Sequence, residues 1–371
     1  MPMGLEIMKA QHDFGPDHGR GADDPLVHGV AWAEQDHGVA LATVISTWGS
    51  APRPVGSQLV IRDDEAFEGS VSGGCVEGAV ILDALDVMKS GVPKIVEFGV
   101  ADATAFEVGL ACGGRIAIFI EPLSLKSDGF KAAKALLAAK KARRSLVRLI
   151  DLRQQKSWFF DPADGPPSDP DPLLSSAALV QALQSARSQL IEQDGERLFF
   201  QIEQPALRLY LIGAVHIAQA LAPMAKAVGY DVTVIDPRGA FATSARFSDV
   251  RLLEAWPDEA LLAERPDERS AVVTLTHDPK LDDAALRVAL DSKVFYIGSL
   301  GSRKTHKARL ERLSADFGKN DTLLRICGPV GLAIGARTPA EIAISIMAQM
   351  TQYLRSGPEN PIPFAPRPKD A

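Results

Sequence analysis

Apolar and polar positions change their rhythm once along this chain, near Gln204-Pro205. Before that point, short β-branched runs stand between turns. Leu41–Thr47, Gln58–Arg62, Phe67–Val71, Lys94–Phe98, Arg115–Glu121, Ser145–Asp151 and Arg197–Gln201 each predict a strand. Helices are expected from Pro25 through Trp32, over Val76–Met88 where Val76, Val80, Ile81, Leu85 and Met88 keep helical spacing, and over 128–143 and 175–191. After Pro205 the pattern becomes βα alternation. Strands are expected at Leu207–Ile212, Asp231–Ile235, Ala271–Leu275 and Lys293–Ile297, with a helix over His216–Val228. Continuously apolar strands alternating with helices predict a parallel sheet covered on both faces. The last helix is marked by Thr338-Pro339-Ala340-Glu341, a capping box with proline at the first helical position. Ile342, Ile346, Met350 and Tyr353 give it one apolar face.

The expected architecture is therefore α/β throughout. A disordered stretch over 1–24 precedes a mixed α/β domain over 25–204. A Rossmann-like doubly wound domain covers 205–355, and a Pro-rich tail runs over 356–371. A length of 371 residues agrees with two cores rather than one. The formal net charge of -7, without a long Lys/Arg run, argues against nucleic-acid binding. No apolar run approaches the roughly 20 residues that span a bilayer, and the polar start lacks the apolar core of a signal peptide. Three cysteines in a chain of this size do not form a disulfide framework, so a reducing cytoplasm is expected.

Two of those cysteines stand beside glycine pairs: Gly73-Gly74-Cys75, followed by Glu77, and Cys112-Gly113-Gly114. Cys75 falls at a strand-to-helix turn, where the helix dipole favours a thiolate. Buried, inert thiols are the plain alternative for both. Glu77 reads equally as a first-turn acid that complements the dipole. Zinc spacing is absent around either cysteine.

In the second half, Gly213 and Asp236 keep the spacing of a dinucleotide-binding turn and its ribose-binding acid. Gly213-Ala214-Val215-His216 has valine where the second glycine belongs, and that glycine lets backbone approach pyrophosphate. Three further segments are expected at the carboxyl ends of the strands, where ligands of open α/β sheets bind. They are His277-Asp278, then Gly298-Ser299-Leu300-Gly301-Ser302-Arg303, then Gly328–Gly335. Arg303, Lys304 and His306 read either as a solvated basic face or as part of an anion site at a helix N-terminus.

Taken together, several stretches resemble the XdhC/CoxI family, the accessory proteins of xanthine dehydrogenase and related molybdenum hydroxylases. The N-terminal matches are Gly49–Gly56, Gly69–Glu77 and Cys112–Gly114. The C-terminal matches are Asp236-Pro237-Arg238, Thr276-His277-Asp278, Tyr296–Lys304, Gly331–Gly335 and Thr338–Ala343. The resemblance spans about residues 26–355, in order. It implies a protein that binds the molybdenum cofactor in its molybdopterin form. Such a protein protects the cofactor while a cysteine desulfurase replaces an oxo ligand by sulfur, then hands it to the apo-dehydrogenase. Gly73, Gly74, Cys75, Glu77, Cys112, Gly113 and Gly114 are then the expected cofactor residues, with Cys75 and Cys112 as candidate metal ligands. Gly213, Asp236, His277, Asp278, Gly298, Ser299, Gly301 and Arg303 would suit its phosphate or a nucleotide. A homodimer is expected. The chain departs from the family at Val215, where glycine is usual, and at Ala333, where aspartate is usual. Asp236 leaves an NAD(P)-dependent oxidoreductase open as a rival, with Val215 counting against it, and a scaffold without a small ligand is the third reading.

Overall fold

A computed structural model describes residues 24–49, 53–99, 114–165, 177–185, 187–193, 195–318 and 321–356. The chain divides into two compact units, Met1–Gln204 and Pro205–Ala371.

The first unit is built on two antiparallel sheets. Strands β1 (Val39–Trp48), β2 (Gln58–Arg62), β3 (Phe67–Gly69), β4 (Lys94–Phe98) and β5 (Arg115–Pro122) make the first, in the order β3-β2-β1-β5-β4. Helix α2 (Glu77–Ser90) covers one of its faces. Val80, Ala84 and Val87 pack there on Ala40, Ala42, Val44, Leu59 and Ile118. Helices α1 (Pro25–Glu34) and α3 (Asp128–Lys141) cover part of the other face through Leu26, Val30, Phe130 and Leu136. The rest of that face, Ile45, Ala117 and Phe119, meets Ile150, Leu152 and Phe199 of the second sheet.

The second sheet runs β7-β6-β9-β8, from β6 (Leu146–Asp151), β7 (Lys156–Phe160), β8 (Gln189–Gln193) and β9 (Glu196–Glu203). Its far face packs Val147, Leu149 and Phe200 against Leu179 and Ala182 of α4 (Ala177–Ser185). A bidentate pair links the two sheets. Arg148 on β6 donates from Nη1 and Nη2 to Glu121 on β5, at 2.6 and 2.8 Å, and both side chains are buried. Alternation on β6 explains it: Val147 and Leu149 serve the outer core, so Arg148 must face inward.

One expected element changes type here. A helix over 175–191 is shortened to Ala177–Ser185, and Gln189–Gln193 pairs antiparallel with β9 instead. Gln193 pairs with Glu196, Gly195 takes φ 83°, and the sequence between the paired residues reads Asp-Gly, a hairpin signal.

The second unit is a doubly wound sheet. Strands β10 (Leu207–Ile212), β11 (Tyr230–Ile235), β12 (Arg251–Leu253), β13 (Ser270–Thr274), β14 (Tyr296–Ser299) and β15 (Ile326–Cys327) pair in parallel, in the order β12-β11-β10-β13-β14-β15. Numbered within the unit this is 3-2-1-4-5-6, the Rossmann order. Helices α5 (His216–Ala227) and α9 (Pro339–Ser356) bury Leu221, Ala222, Ile346 and Met350 on one face. Helices α6 (Pro257–Glu264), α7 (Pro279–Asp291) and α8 (Arg303–Phe317) bury Leu261, Leu286 and Leu313 on the other. The capping box forms as expected: Thr338 N donates to Glu341 Oε2 at 2.9 Å, and Glu341 N to Thr338 Oγ1 at 3.3 Å. The fourth of the expected strands lies further along, at Tyr296–Ser299, so Gly298 and Ser299 belong to β14 and not to the loop beyond it. A Cβ on Gly298 would stand 2.6 Å from Val330 Cγ2, which is why this apolar strand carries a glycine.

Candidate functional site

Between β3 and α2 the chain folds around one of its own carboxylates. Gly73 and Gly74 turn with φ of 82° and 112°, a conformation that needs glycine. The turn aims a run of backbone amides inward, and Glu77, the first residue of α2, meets them. Its Oε1 accepts from Ser70 Oγ at 2.9 Å, Val71 N at 3.3 Å, Ser72 N at 2.9 Å and Gly73 N at 3.1 Å. Its Oε2 accepts from Gly74 N at 2.9 Å and from the Ser72 hydroxyl. Ser72 Oγ in turn accepts from Cys75 N and Val76 N, both at 3.0 Å. Burial works to raise the Glu77 pKa, but the Ser72 hydroxyl and amide, with the Ser70 hydroxyl, outweigh it and hold the carboxyl at about 2. Glu77 is therefore a structural anion filling the cradle that glycine-rich turns otherwise offer to phosphates.

Cys75 rides on that locked turn. Its side chain is half-buried and packs against the apolar cluster under α2. Gly73 and Gly74 beside it are exposed, and a Cβ on Gly74 would meet nothing within 4 Å. Cys112 and Gly113 lie outside the described residues. Gly114 is buried and leads directly into β5.

In the second unit, Gly213 and Asp236 come together at the carboxyl ends of β10 and β11. Asp236 is wholly buried, and each of its oxygens takes two donors. Oδ1 accepts from Arg238 N at 3.0 Å and Arg238 Nε at 2.8 Å, and Oδ2 from Ala214 N and Arg238 Nη2, both at 2.8 Å. Burial works against the charge, yet the Arg238 donation and the Ala214 amide keep its pKa below the ordinary carboxylate value. Four lone-pair sites are thus filled from within the chain, and a ribose hydroxyl would have to displace Arg238. Val215 has extended backbone, caps α5, and turns its half-buried side chain to the core.

The other expected residues line the same end of the sheet. His277 is exposed with φ 64°, and its amide donates to Asp282 Oδ2 at 3.1 Å. Asp278 caps α7 by accepting from Lys280 N at 2.9 Å. Ser299 is buried, its hydroxyl 2.5 Å from that of Thr274 on the neighbouring strand β13. Gly301 is half-buried in the turn before α8, Ser302 caps that helix through Thr305 N at 3.1 Å, and Arg303 is exposed on its first turn.

Sequence reasoning passed over two buried groups here, Arg309 and Asp282. Both are charged residue types, which are seldom fully buried, and the sequence singles out neither. The available signal was their position at inward-facing spacings, Arg309 four residues before Leu313 and Asp282 four before Leu286.

Comparisons with known proteins agree across both units. Residues 32–99 match the XdhC and CoxI family, and residues 209–350 match the XdhC Rossmann domain. The chain is 29% identical over 313 residues to the molybdenum cofactor insertion chaperone PaoD of Escherichia coli, covering 84% of this chain and 82% of that protein. It is 28% identical over 330 residues to a probable xanthine dehydrogenase subunit of Bacillus subtilis, covering 87% and 95%. A crystal structure described as a xanthine dehydrogenase from Bacillus halodurans superimposes with a TM-score of 0.70 at 25% identity, over 92% of this chain and 98% of that one.

Proposed function

We propose, from the premise that this chain belongs to the XdhC and CoxI family, that it is a molybdenum cofactor accessory protein. It holds the cofactor as cargo, supports its sulfuration by a cysteine desulfurase, and passes it to xanthine dehydrogenase or a related molybdenum hydroxylase. The observation that carries this reading is Cys75, whose half-buried side chain is presented by a turn that Glu77 has already locked. Similarity to an insertion chaperone over 84% of the chain supports it.

The residues at the turn suit such cargo. A thiolate is a soft donor of the kind transition metals accept. The exposed Gly73-Gly74 backbone leaves room for a flat ring system to approach without meeting a side chain. Cys75 would hold the cargo, with Cys112 proposed as the second sulfur. Glu77 would keep the turn rigid, so that no ordering of the loop has to accompany binding. The bound group supplies the metal centre on which sulfur replaces oxygen, and the protein's part is to grip and shield it. The Rossmann unit contributes glycine-bearing loops, Gly298–Arg303 above all, which suit a phosphate or nucleotide.

The test is cofactor retention. Purified protein supplied with cofactor is expected to keep molybdopterin, and the Cys75→Ala/Cys112→Ala double variant to lose it. Equal, negligible retention in both would defeat the proposal. A nicotinamide-dependent oxidoreductase is the second reading, favoured by the 3-2-1-4-5-6 strand order. It is opposed by the saturated Asp236. A titration with NADH and NADPH that shows no binding up to millimolar concentration removes it.

A further inference from the structure

The two glycine-rich cradles that the sequence offers to an anion are both occupied by the chain itself. Glu77 fills the first and Asp236 takes the Ala214 amide of the second. Unused donors lie elsewhere, beneath the Leu300–Ser302 turn at the carboxyl end of β14. Arg309 is 2% exposed, on the inner face of α8. Side chains on a helix lean toward its N-terminus, and the guanidinium accordingly reaches back to donate from Nη2 to Leu300 O at 2.8 Å. Its Nε and Nη1 are buried and have no hydrogen-bond partner among the described residues. One turn earlier, His306 presents a buried Nδ1 that is also unpartnered, its ring seated so closely on Gly328 that a Cβ there would stand 2.1 Å from Nδ1.

The carboxylate facing Arg309 is that of Asp282, which pairs with it by charge alone. Asp282 stands 3.9 Å away, beyond hydrogen-bond range, and its oxygens already serve the Thr276 hydroxyl at 2.7 Å and the Thr276 and His277 amides. Asp283 is taken by the fork of Arg312, at 2.6 and 3.0 Å. A buried guanidinium with two idle nitrogens is costly unless something pairs with it. The chain satisfies only Nη2, through Leu300 O and the nearby Asp282 charge, and leaves Nε and Nη1 without an acceptor. Arg309 stands at the carboxyl end of β14 and near the N-terminal end of a fifteen-residue helix, the kind of position at which backbone amides receive anions.

We propose that Arg309, with His306 beside it, is the phosphoryl-binding group of the Rossmann unit, receiving the phosphate of a nucleotide or pterin ester under the Leu300–Ser302 turn. This deepens the assignment of a phosphate or nucleotide to the Gly298–Arg303 loop and rests on it. Binding pairs phosphate oxygens with an idle Arg309 nitrogen and the second Nη2 proton in a forked contact. Anionic charge there also favours protonation of His306, which in the free protein is held below its ordinary pKa by burial and by the Arg309 charge.

The experiment uses the full chain, without molybdenum cofactor, and three probes at matched ionic strength: inorganic phosphate, AMP and NADPH. Affinity is read from the ligand-dependent rise in melting temperature, and the His306 ring is followed by NMR. Wild type is expected to be stabilised by inorganic phosphate, with the His306 pKa moving upward. Arg309→Met should weaken phosphate binding about tenfold or more, from the loss of charge-assisted bonds. Arg309→Lys keeps the charge without the fork, should fall between the two, and serves if the Met variant does not fold. A wild type indifferent to phosphate overturns the proposal, as does an equal phosphate response in Arg309→Lys and wild type. Tighter binding of AMP or NADPH than of phosphate names a nucleotide as the source, and equal binding of all three leaves the phosphoryl group as the recognised chemistry. Cofactor retention by Cys75 is measured separately, so the failure of one assignment leaves the other standing.

Discussion

Glu77→Gln tests the locked turn directly. The carboxylate receives six donors, four at Oε1 and two at Oε2. A glutamine side chain has one acceptor oxygen, so its amide nitrogen must face donors whichever way it turns. With the oxygen kept at the four-donor position, the NH2 group meets Gly74 N–H and the Ser72 hydroxyl. The Gly74 amide cannot accept, and the Ser72 oxygen already accepts from Cys75 N and Val76 N, so neither can receive the new NH2 group. The lowering of the Glu77 pKa from 4.5 to about 2 scales the loss. At 1.36 kcal/mol per pH unit it corresponds to about 3 kcal/mol, and water at the exposed Gly73-Gly74 side reduces that to about 2 kcal/mol. The assay is native-state hydrogen exchange of the 70–76 segment in the full-length protein. A local loss of about 2 kcal/mol raises exchange of the Ser72, Gly73 and Gly74 amides roughly thirtyfold at pH 7. The sign follows from the depressed pKa. Stabilisation by Glu77 is fully present above pH 4.5, and falls away as pH drops through the folded value near 2. The difference between wild type and variant should therefore narrow from about pH 5 downward. Unchanged protection at pH 7, or a difference that does not vary with pH, would refute the carboxylate cradle.

Removing one partner of the pair between the two sheets of the first unit, Arg148→Met, should cost about 3–5 kcal/mol in urea unfolding, because it strands the Glu121 charge. Adding Glu121→Leu should restore most of that loss, and a double variant no better than the single would show that the pair is not the cause. Thr338→Ala should lower stability by about 1 kcal/mol through loss of the capping box, seen as a drop in melting temperature. Cys327 is pushed up to about 11 by burial, although its contact with Tyr353 works the other way. Mass spectrometry after iodoacetamide at pH 8 should therefore find it unmodified until urea is added.

Local pattern carried the doubly wound class of this protein, because βα alternation and continuously apolar strands admit few other packings. The capping box of α9 was equally local, since its four residues satisfy one another. Gln189–Gln193 was not readable as a strand from its own composition. Its ladder partner in β9 decided the matter, and pairing energy exists only once both strands are in place. Gly298 and Ser299 moved from loop to strand for a similar reason, as β13 pairs with both of them and β15 with Gly298.

Residue order alone places the chemistry-bearing residues on turns: Cys75 beside its glycines, Asp236 at the end of a strand, Ser302 before a helix. Which of their donors remain free depends on contacts between distant segments. Glu77 and Asp236 both read as groups for a ligand or a dipole, and folding committed them to the chain's own amides and guanidinium. The sequence did not single out Arg309, and folding buried it with two nitrogens idle. Residue spacing states what a group can donate or accept, whereas the account of partners closes only when distant segments meet.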